Sequence, residues 1–386
     1  MMTLPNYRDG NLVNLMSSLA SGLGRKPGLY EPLSLLPPAT VASAKHVVLL
    51  VLDGLGYNYL KRHAQAFKPF LQGHLTSVFP TSTAPAITTL LTGVAPQQHG
   101  VTGWFMNLKE LGSVALILPF RPRWGTVSLT SSANQIDELI AAPPLCNSLG
   151  VRCHFVIHED LRDSPYSVAG AGRAHRHGYQ DLAGYFKAIR NTIAEQGSER
   201  SYTYAYWPML DFLAHRHGID SNTVKTHFQD LEQGFVMLRE ALCGTDSLLV
   251  VTADHGFIDT ASRYKIRLED HPEWMSCLAA PLCGEPRVAY CYVRANKSAD
   301  FERYMHGQLS HACTCYPSEE LVSQGWFGEG EPDPRLLARI GDYVLVTKER
   351  YVIKDTLPGE GFWNDIGVHG GISADEMLVP LLYSFC

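Results

Sequence analysis

Residues 46–54 read HVVLLVLDG, and the fold follows from this stretch. Six apolar residues in succession leave no polar face for water, so the run is a strand covered on both sides, as in the middle of a parallel sheet. It ends at Asp53, a carboxylate at the carboxyl end of a buried strand, where open α/β sheets hold their ligands. Gly54 lets the backbone turn away sharply. Taken alone, an Asp here is more often a helix N-cap than a functional group.

Similar apolar runs recur at Val114–Leu118, His154–Ile157, Tyr202–Trp207 and Ser247–Thr252. Helical periodicity fills several of the gaps, at 57–67, 181–195 and 224–242. This alternation predicts a layered α/β fold with a mostly parallel sheet. Residues 11–23 carry Leu12, Val13, Leu15, Met16, Leu19 and Leu23 at helical spacing, and a linker with Pro32, Pro37 and Pro38 follows. Between about 262 and 333 the chain turns rich in Cys, Pro and Tyr, with RVAYCYVRA as a strand and DFERYMHGQL as a helix. That segment is expected to be a small inserted α+β cap. The expected divisions are an N-terminal helix and linker over 1–45, a core over 46–261 and 334–386, and the cap over 262–333.

The 386 residues suffice for a large core. Against 38 acidic residues stand 32 basic ones, and no basic run exists, which excludes a nucleic-acid-wrapping surface. No run of eighteen apolar residues is present and the N-terminus lacks a basic-then-apolar leader, so a cytoplasmic protein without a membrane span is expected. Nine Cys residues show no framework spacing, and the lone CxC at 313–315 lacks a second pair for a zinc ribbon. The thiols are expected reduced and mostly buried.

Further chemistry sits at strand ends and Gly/Pro-rich loops. Thr83 stands in PTSTAP, a loop opening a helix, where free amides favour an anion or an alkoxide; a plain N-cap is the bland alternative. Asp211 and His215 are four apart in LDFLAHRHG, so one helical face presents both, while His217 points elsewhere. A similar AHRHG at 174–178 lacks the Asp, and His175 and His177 are expected to form an exposed loop pair. Asp254 and His255 follow the strand LLVVT, with Gly256 permitting the turn that adjacent ligands need. His369 precedes Gly370-Gly371, and Ser373 with Glu376 caps a short helix.

Taken in order, VLDG (51–54), FPTSTAP (79–85) with TLLTG (89–93) and PQQHG (96–100), Asp211–His215, TADHG (252–256), and HGG (369–371) with EMLVPL (376–381) resemble the alkaline phosphatase superfamily. The likeness is to its type I nucleotide pyrophosphatase/phosphodiesterase branch, and it spans about 46–110, 202–260 and 340–386. It implies a three-layer α/β/α core with two divalent ions, zinc first and Mn or Fe as alternatives. It also implies Asp53, Asp254 and His255 on one ion, Asp211, His215 and His369 on the other, and Thr83 as a nucleophile touching the first. The implied reaction is attack of Thr83 on phosphorus, departure of an alcohol or nucleotide, then hydrolysis of the phospho-Thr. The implied partner is a small phosphate ester or nucleotide. Where the branch commonly places an Asn after its HG, this chain has Trp104, whose indole is one donor; Asn107 is the alternative donor.

A sulfatase needs an oxidisable Cys or Ser where Thr83 stands and an Arg where Ile87 stands. A cofactor-independent phosphoglycerate mutase needs a Ser and a large insertion soon after it. Phosphomonoesterase activity is the serious alternative, with Arg121, Arg123, Arg162 and Arg294 available for an extra phosphate oxygen. A non-catalytic metal-binding module on the same fold is the remaining one.

Overall fold

The run at 46–52 is a strand with all seven residues buried, and each Val or Leu so buried stabilises the fold by about 1.5–3 kcal/mol. The computed structural model describes residues 2–386 apart from 27, 126–128, 130–134, 362 and 363. His46–Leu52 pairs in parallel with Ser201–Trp207 on one side and Ser247–Thr252 on the other. Outward from these lie Arg152–His158 and His175–Tyr179, both parallel, and Leu378–Phe385 and Leu71–Thr76 beyond an antiparallel pairing. Full burial of the three middle strands requires cover on both faces, and helices supply it, which makes the three-layer α/β/α core expected of the chain.

Helix Leu12–Gly22 is capped by Asn11, Leu182–Gln196 by Asp181, and Asn222–Ala241 by Ser221. Each cap accepts from a backbone N–H of the first turn, as short polar side chains do at helix starts.

A second seven-stranded sheet, antiparallel throughout, runs in the order 313–317, 343–347, 288–291, 283–285, 105–108, 113–116, 121–122. Two expectations change here. The run at 114–118 is not a parallel core strand: Ser113–Leu116 belongs to this second sheet, and only length and polarity, not partner, were legible in so short a run. Within the 334–386 stretch expected in the core, Tyr343–Thr347 instead sits in this sheet between 288–291 and 313–317. The cap expected over 262–333 therefore accounts for only part of this sheet, which also draws strands from 105–122 and 343–347. His175 and His177 also differ from the exposed loop pair expected: they lie on the edge strand His175–Tyr179, with His177 Nε2 2.9 Å from His154 Nδ1.

One buried clamp joins the sheets. Arg287 donates to both carboxylate oxygens of Glu376, at 3.0 and 2.9 Å, and Glu376 in turn accepts from Gly371 N at 2.8 Å. Glu376, read as half of a capping pair, thus also anchors the Gly-Gly turn after His369.

His99, at the end of PQQHG, is fully buried. Its Nδ1 accepts from Val101 N at 3.1 Å, which leaves Nε2 protonated towards Thr89 Oγ1 at 3.0 Å. Burial, with Arg339 nearby, pushes its pKa down to about 3. Unfolded histidine titrates near 6.5, so between these values the unfolded chain binds the extra proton and stability falls as pH falls. The urea midpoint should hold above pH 6.5 and decline towards pH 4, with a shallower decline in His99→Gln. An unchanged slope in that variant would assign the acid sensitivity elsewhere.

Candidate functional site

Three neighbouring strands deliver three carboxylates to one edge of the central sheet. Val51 pairs with Thr252 in parallel register, so Asp53 and Asp254, each two residues further, leave the sheet side by side. On the other flank Leu52 pairs with Trp207, and helix Met209–His217 begins directly after it with Asp211 in its first turn and His215 one turn on. Close approach of these segments demands glycine at two points. Gly54 has φ 78°, and a Cβ there would meet Phe257 at 2.5 Å; a Cβ on Gly256 would meet the Asp375 carbonyl at 2.0 Å.

The histidines converge on the carboxylates from three directions. His255 Nε2 lies 3.4 Å from Asp53 Oδ1, 3.5 Å from Asp254 Oδ2 and 3.9 Å from Asp211 Oδ1. His215 Nε2 and His369 Nε2 lie 3.4 and 3.7 Å from Asp211 Oδ1. The rings of His255 and His369 stack at 3.7 Å. Thr83 Oγ1 is 3.1 Å from His255 Nε2. All seven residues expected at the site are therefore in one place.

The hydrogen bonds behind the imidazoles fix their tautomers. His215 Nδ1 faces Gly367 O at 2.9 Å, His255 Nδ1 faces Gly256 O at 3.2 Å, and His369 Nδ1 faces Thr81 O at 3.1 Å. A carbonyl only accepts, so each Nδ1 carries a proton and donates it, and each Nε2 is the atom aimed inwards. This is how histidines that ligate metals are held. The oxygens they face, Asp53 Oδ1, Asp211 Oδ1 and Asp254 Oδ2, are buried without a hydrogen-bond partner, a costly arrangement for carboxylates unless cations meet them.

The other oxygens of Asp53 and Asp254 are satisfied. Tyr206 donates its hydroxyl to Asp53 Oδ2, and Asp254 Oδ1 accepts from Gly54 N and His255 N at 3.0 and 2.9 Å. Electrostatics reflect the crowding. Burial, with Asp254 and Asp211 adjacent, pushes the Asp53 carboxyl well up. For Asp211, burial is outweighed by His215, His369 and His255, which hold it down at about 2. For His215, burial is likewise outweighed by Asp211, which raises it to about 9. By proximity alone the donor atoms form two groups, Asp53–Asp254–His255 and Asp211–His255–His369. The first is the set expected. In the second, His255 stands where His215 was expected, because its Nε2 lies between the Asp53 and Asp211 oxygens.

Thr83 is the first residue of helix Thr83–Thr92. The preceding Ser82 does not cap it, because its hydroxyl donates to the Glu285 carboxylate instead. The N–H groups of Thr83 and Ala84 have no acceptor within the helix, whereas Pro85 has no N–H and Ala86 N donates to Ser82 O at 3.0 Å. Glu285 also accepts from Trp104 N at 2.7 Å, and burial pushes its pKa up to about 7.

A cavity of about 310 Å³ is lined by Thr83 together with Trp104, Phe105, Lys354 and Asp365. A larger cavity, about 650 Å³, beside Leu91 and Tyr166 contains none of the convergent groups, so chemistry rather than volume locates the site. Trp104 lines the smaller cavity as expected. Asn107 does not: three residues of extended chain carry it about 10 Å along its strand, where its side chain bonds Tyr292.

None of the four arginines considered lines the cavity. Arg123 is buried against Asp355 and Glu360 at 2.7 and 2.8 Å. Arg162 pairs with Asp163 at the surface, Arg294 bonds the Leu278 carbonyl, and Arg121 lies exposed on its strand. Glu285, Tyr206 and Lys354 carried no signal in sequence, since none lies within a motif and their partners are distant in the chain.

The family model for type I phosphodiesterase/nucleotide pyrophosphatase matches residues 47–371. The chain belongs to this family. Membership places it among hydrolases acting on phosphate esters, within the alkaline phosphatase superfamily. Among curated protein sequences none matches. Solved structures share the fold. Human ectonucleotide pyrophosphatase/phosphodiesterase 5 is similar over 87% of each chain, at 20% identity and TM-score 0.66. Its murine counterpart is similar over the same shares, at 19% and 0.65. Phosphonoacetate hydrolase from Sinorhizobium meliloti, in complex with phosphonoformate, is similar over 88% of this chain and 90% of its own, at 18% and 0.62. No helix among the described residues is long and apolar enough to cross a membrane.

Proposed function

We propose that this family member is a two-metal phosphodiesterase or nucleotide pyrophosphatase with Thr83 as its nucleophile. The observation that carries the reading is the set of three carboxylate oxygens without a hydrogen-bond partner facing three imidazole Nε2 atoms. Asp53, Asp254, His255 and Thr83 would hold one divalent ion, and Asp211, His215 and His369 the other. Oxygen and imidazole donors suit zinc, and Mn or Fe fit the same set. Bound there, such ions supply charge neutralisation at phosphorus and a lower pKa for the attacking oxygen.

The chain's own residues do the rest. The free N–H groups of Thr83 and Ala84 at this helix start would donate to an equatorial phosphoryl oxygen. Thr83 Oγ forms the bond to phosphorus as the ester oxygen leaves, and water then cleaves the phospho-Thr. Glu285 acts as a positioning residue, tying the Ser82–Thr83 turn to the Trp104 wall. Support comes also from the murine neighbour, solved as an inactive Thr-to-Ala variant in complex with AMP, which fits a nucleotide or similar ester as partner here. The nine cysteines, all free thiols, fit a reducing, cytoplasmic setting.

The test compares bis(p-nitrophenyl) phosphate with p-nitrophenyl phosphate in one zinc-loaded preparation. A kcat/KM at least tenfold higher for the diester is the expected result. The reverse ratio would establish a phosphomonoesterase. No turnover of either, with substoichiometric metal, would mark a non-catalytic module.

A further inference from the structure

Glu285 lines the same cavity as Thr83 and lies outside both groups of candidate metal ligands. It ends the short strand Cys283–Glu285 of the second sheet. Two contacts fix its place. On one side its Oε1 accepts the hydroxyl of Ser82, the residue before Thr83. On the other its stem lies against the turn after His369, where a Cβ on Gly370 would come within 2.8 Å of the Glu285 Cβ. An antiparallel bridge between Thr81 and Gly370 draws these two turns together. Glu285 therefore stands between the Thr83 turn and the His369 turn, and His215 and Asp211 are among the charges that act on it.

Its own charge is left over. Both donors to it are neutral, the Ser82 hydroxyl and the Trp104 N–H, and both reach the one oxygen Oε1. Oε2 takes neither of them and is not among the described partnerless atoms sealed from solvent, so it opens on the cavity that the residue lines. Lys354 lines that cavity too, but the charges acting on it are those of Glu360, Arg123, Asp365 and Asp355. A phosphomonoester brings two charges on its phosphoryl group and a diester one. An extra unesterified oxygen near a buried carboxylate meets like charge in a medium that screens poorly, and an esterified oxygen does not.

We infer that the Glu285 carboxylate selects against the doubly charged phosphoryl group of monoesters and so sets a preference for singly charged diesters. This rests on the proposed function for the place of the reaction, and it names the residue behind the substrate class.

The experiment uses methyl p-nitrophenyl phosphate and p-nitrophenyl phosphate, which share a leaving group and differ by one charge. The zinc-loaded protein is assayed at about pH 9, where Glu285, its pKa raised by burial to about 7, is ionised. Glu285→Gln keeps an acceptor for Ser82 and Trp104 and removes the charge, whereas Glu285→Asp keeps the charge. In Glu285→Gln the ratio of kcat/KM, monoester over diester, should rise about tenfold or more, and in Glu285→Asp it should stay within about twofold of wild type. A purely positional role lowers both rates together. An unchanged or falling ratio in Glu285→Gln, or an equal rise in Glu285→Asp, would therefore overturn the inference.

Calorimetric titration with methylphosphonate, doubly charged at this pH, and with its singly charged monomethyl ester needs neither turnover nor a folded variant. Wild type should bind the ester at least as tightly as the dianion, against the order that two bare cations would set. Tighter binding of the dianion would overturn the inference. If neither phosphate is hydrolysed, yet the ester binds better and Glu285→Gln reverses the order, the proposed function fails while the inference stands. Diester turnover with a ratio indifferent to Glu285→Gln has the opposite meaning.

Discussion

Thr83→Ala will lower phosphodiester turnover by a factor on the order of 10³ to 10⁶, as loss of an enzyme nucleophile does, while leaving the fold intact and Asp53, Asp254 and His255 in place to hold their ion. The substitution is mild for the structure: alanine is a good helix former, the Ser82 hydroxyl keeps its bond to Glu285, and the carboxylates and imidazoles are untouched. What it removes is the hydroxyl 3.1 Å from His255 Nε2, at the head of helix Thr83–Thr92. Thr83→Ser keeps that oxygen and should retain measurable turnover. Rapid-quench mass spectrometry should find phosphate on the peptide containing residue 83 in wild type and not in the Ala variant. Turnover within tenfold of wild type in Thr83→Ala would refute the nucleophile assignment.

The second large effect concerns the ions. Asp254→Ala and His369→Ala should each reduce bound zinc from two ions per chain towards one and lower turnover at least about 10²-fold, since each removes a ligand rather than a supporting contact. Chelation of wild type should destabilise it, because the buried Asp53 carboxyl then faces Asp254 and Asp211 with no ion between them. Zinc at a hundredfold excess over Kd returns about 3 kcal/mol, a rise of several degrees in Tm for a chain of this size. Asp53→Asn separates the two contributions. Its metal-free form should melt no lower than metal-free wild type, because one repelling charge is gone, and it should lose most of the zinc-induced rise. Full activity and two ions in either ligand variant would refute the metal assignment.

What was legible beforehand depended on chain distance. The strand at 46–52 and the helix holding Asp211 and His215 are local patterns, and both stand where the periodicity put them. The convergence of Asp53, Asp254 and His369 is not local, and it could be anticipated only through the ordered likeness to a known family. Val114 and Tyr343 show the limit: a four- or five-residue apolar run declares a strand but not its partner, and both went to the second sheet. Glu285 and Lys354 were silent for the same reason. Glu285 meets Ser82 across 203 positions, and no spacing rule reaches that far. Arg123 looked available for phosphate, yet its charge was already committed to Asp355 and Glu360, a fact that only packing reveals.

The parallel pairing of Val51 with Thr252 has a mechanical corollary. Asp53 and Asp254 stand the same number of residues past one rung of the ladder, so their separation is inherited from the peptide hydrogen-bond repeat, about 4.8 Å between strands. The peptide backbone acts as a ruler that side-chain packing cannot easily recalibrate. Changes in the second sheet, which supplies Glu285 and the Trp104 wall, can alter what enters the cavity while the gauge of the carboxylates stays fixed. Conversely, a substitution deep between strands 46–52 and 247–252 that shears them slightly would detune the centre with every ligand still in place.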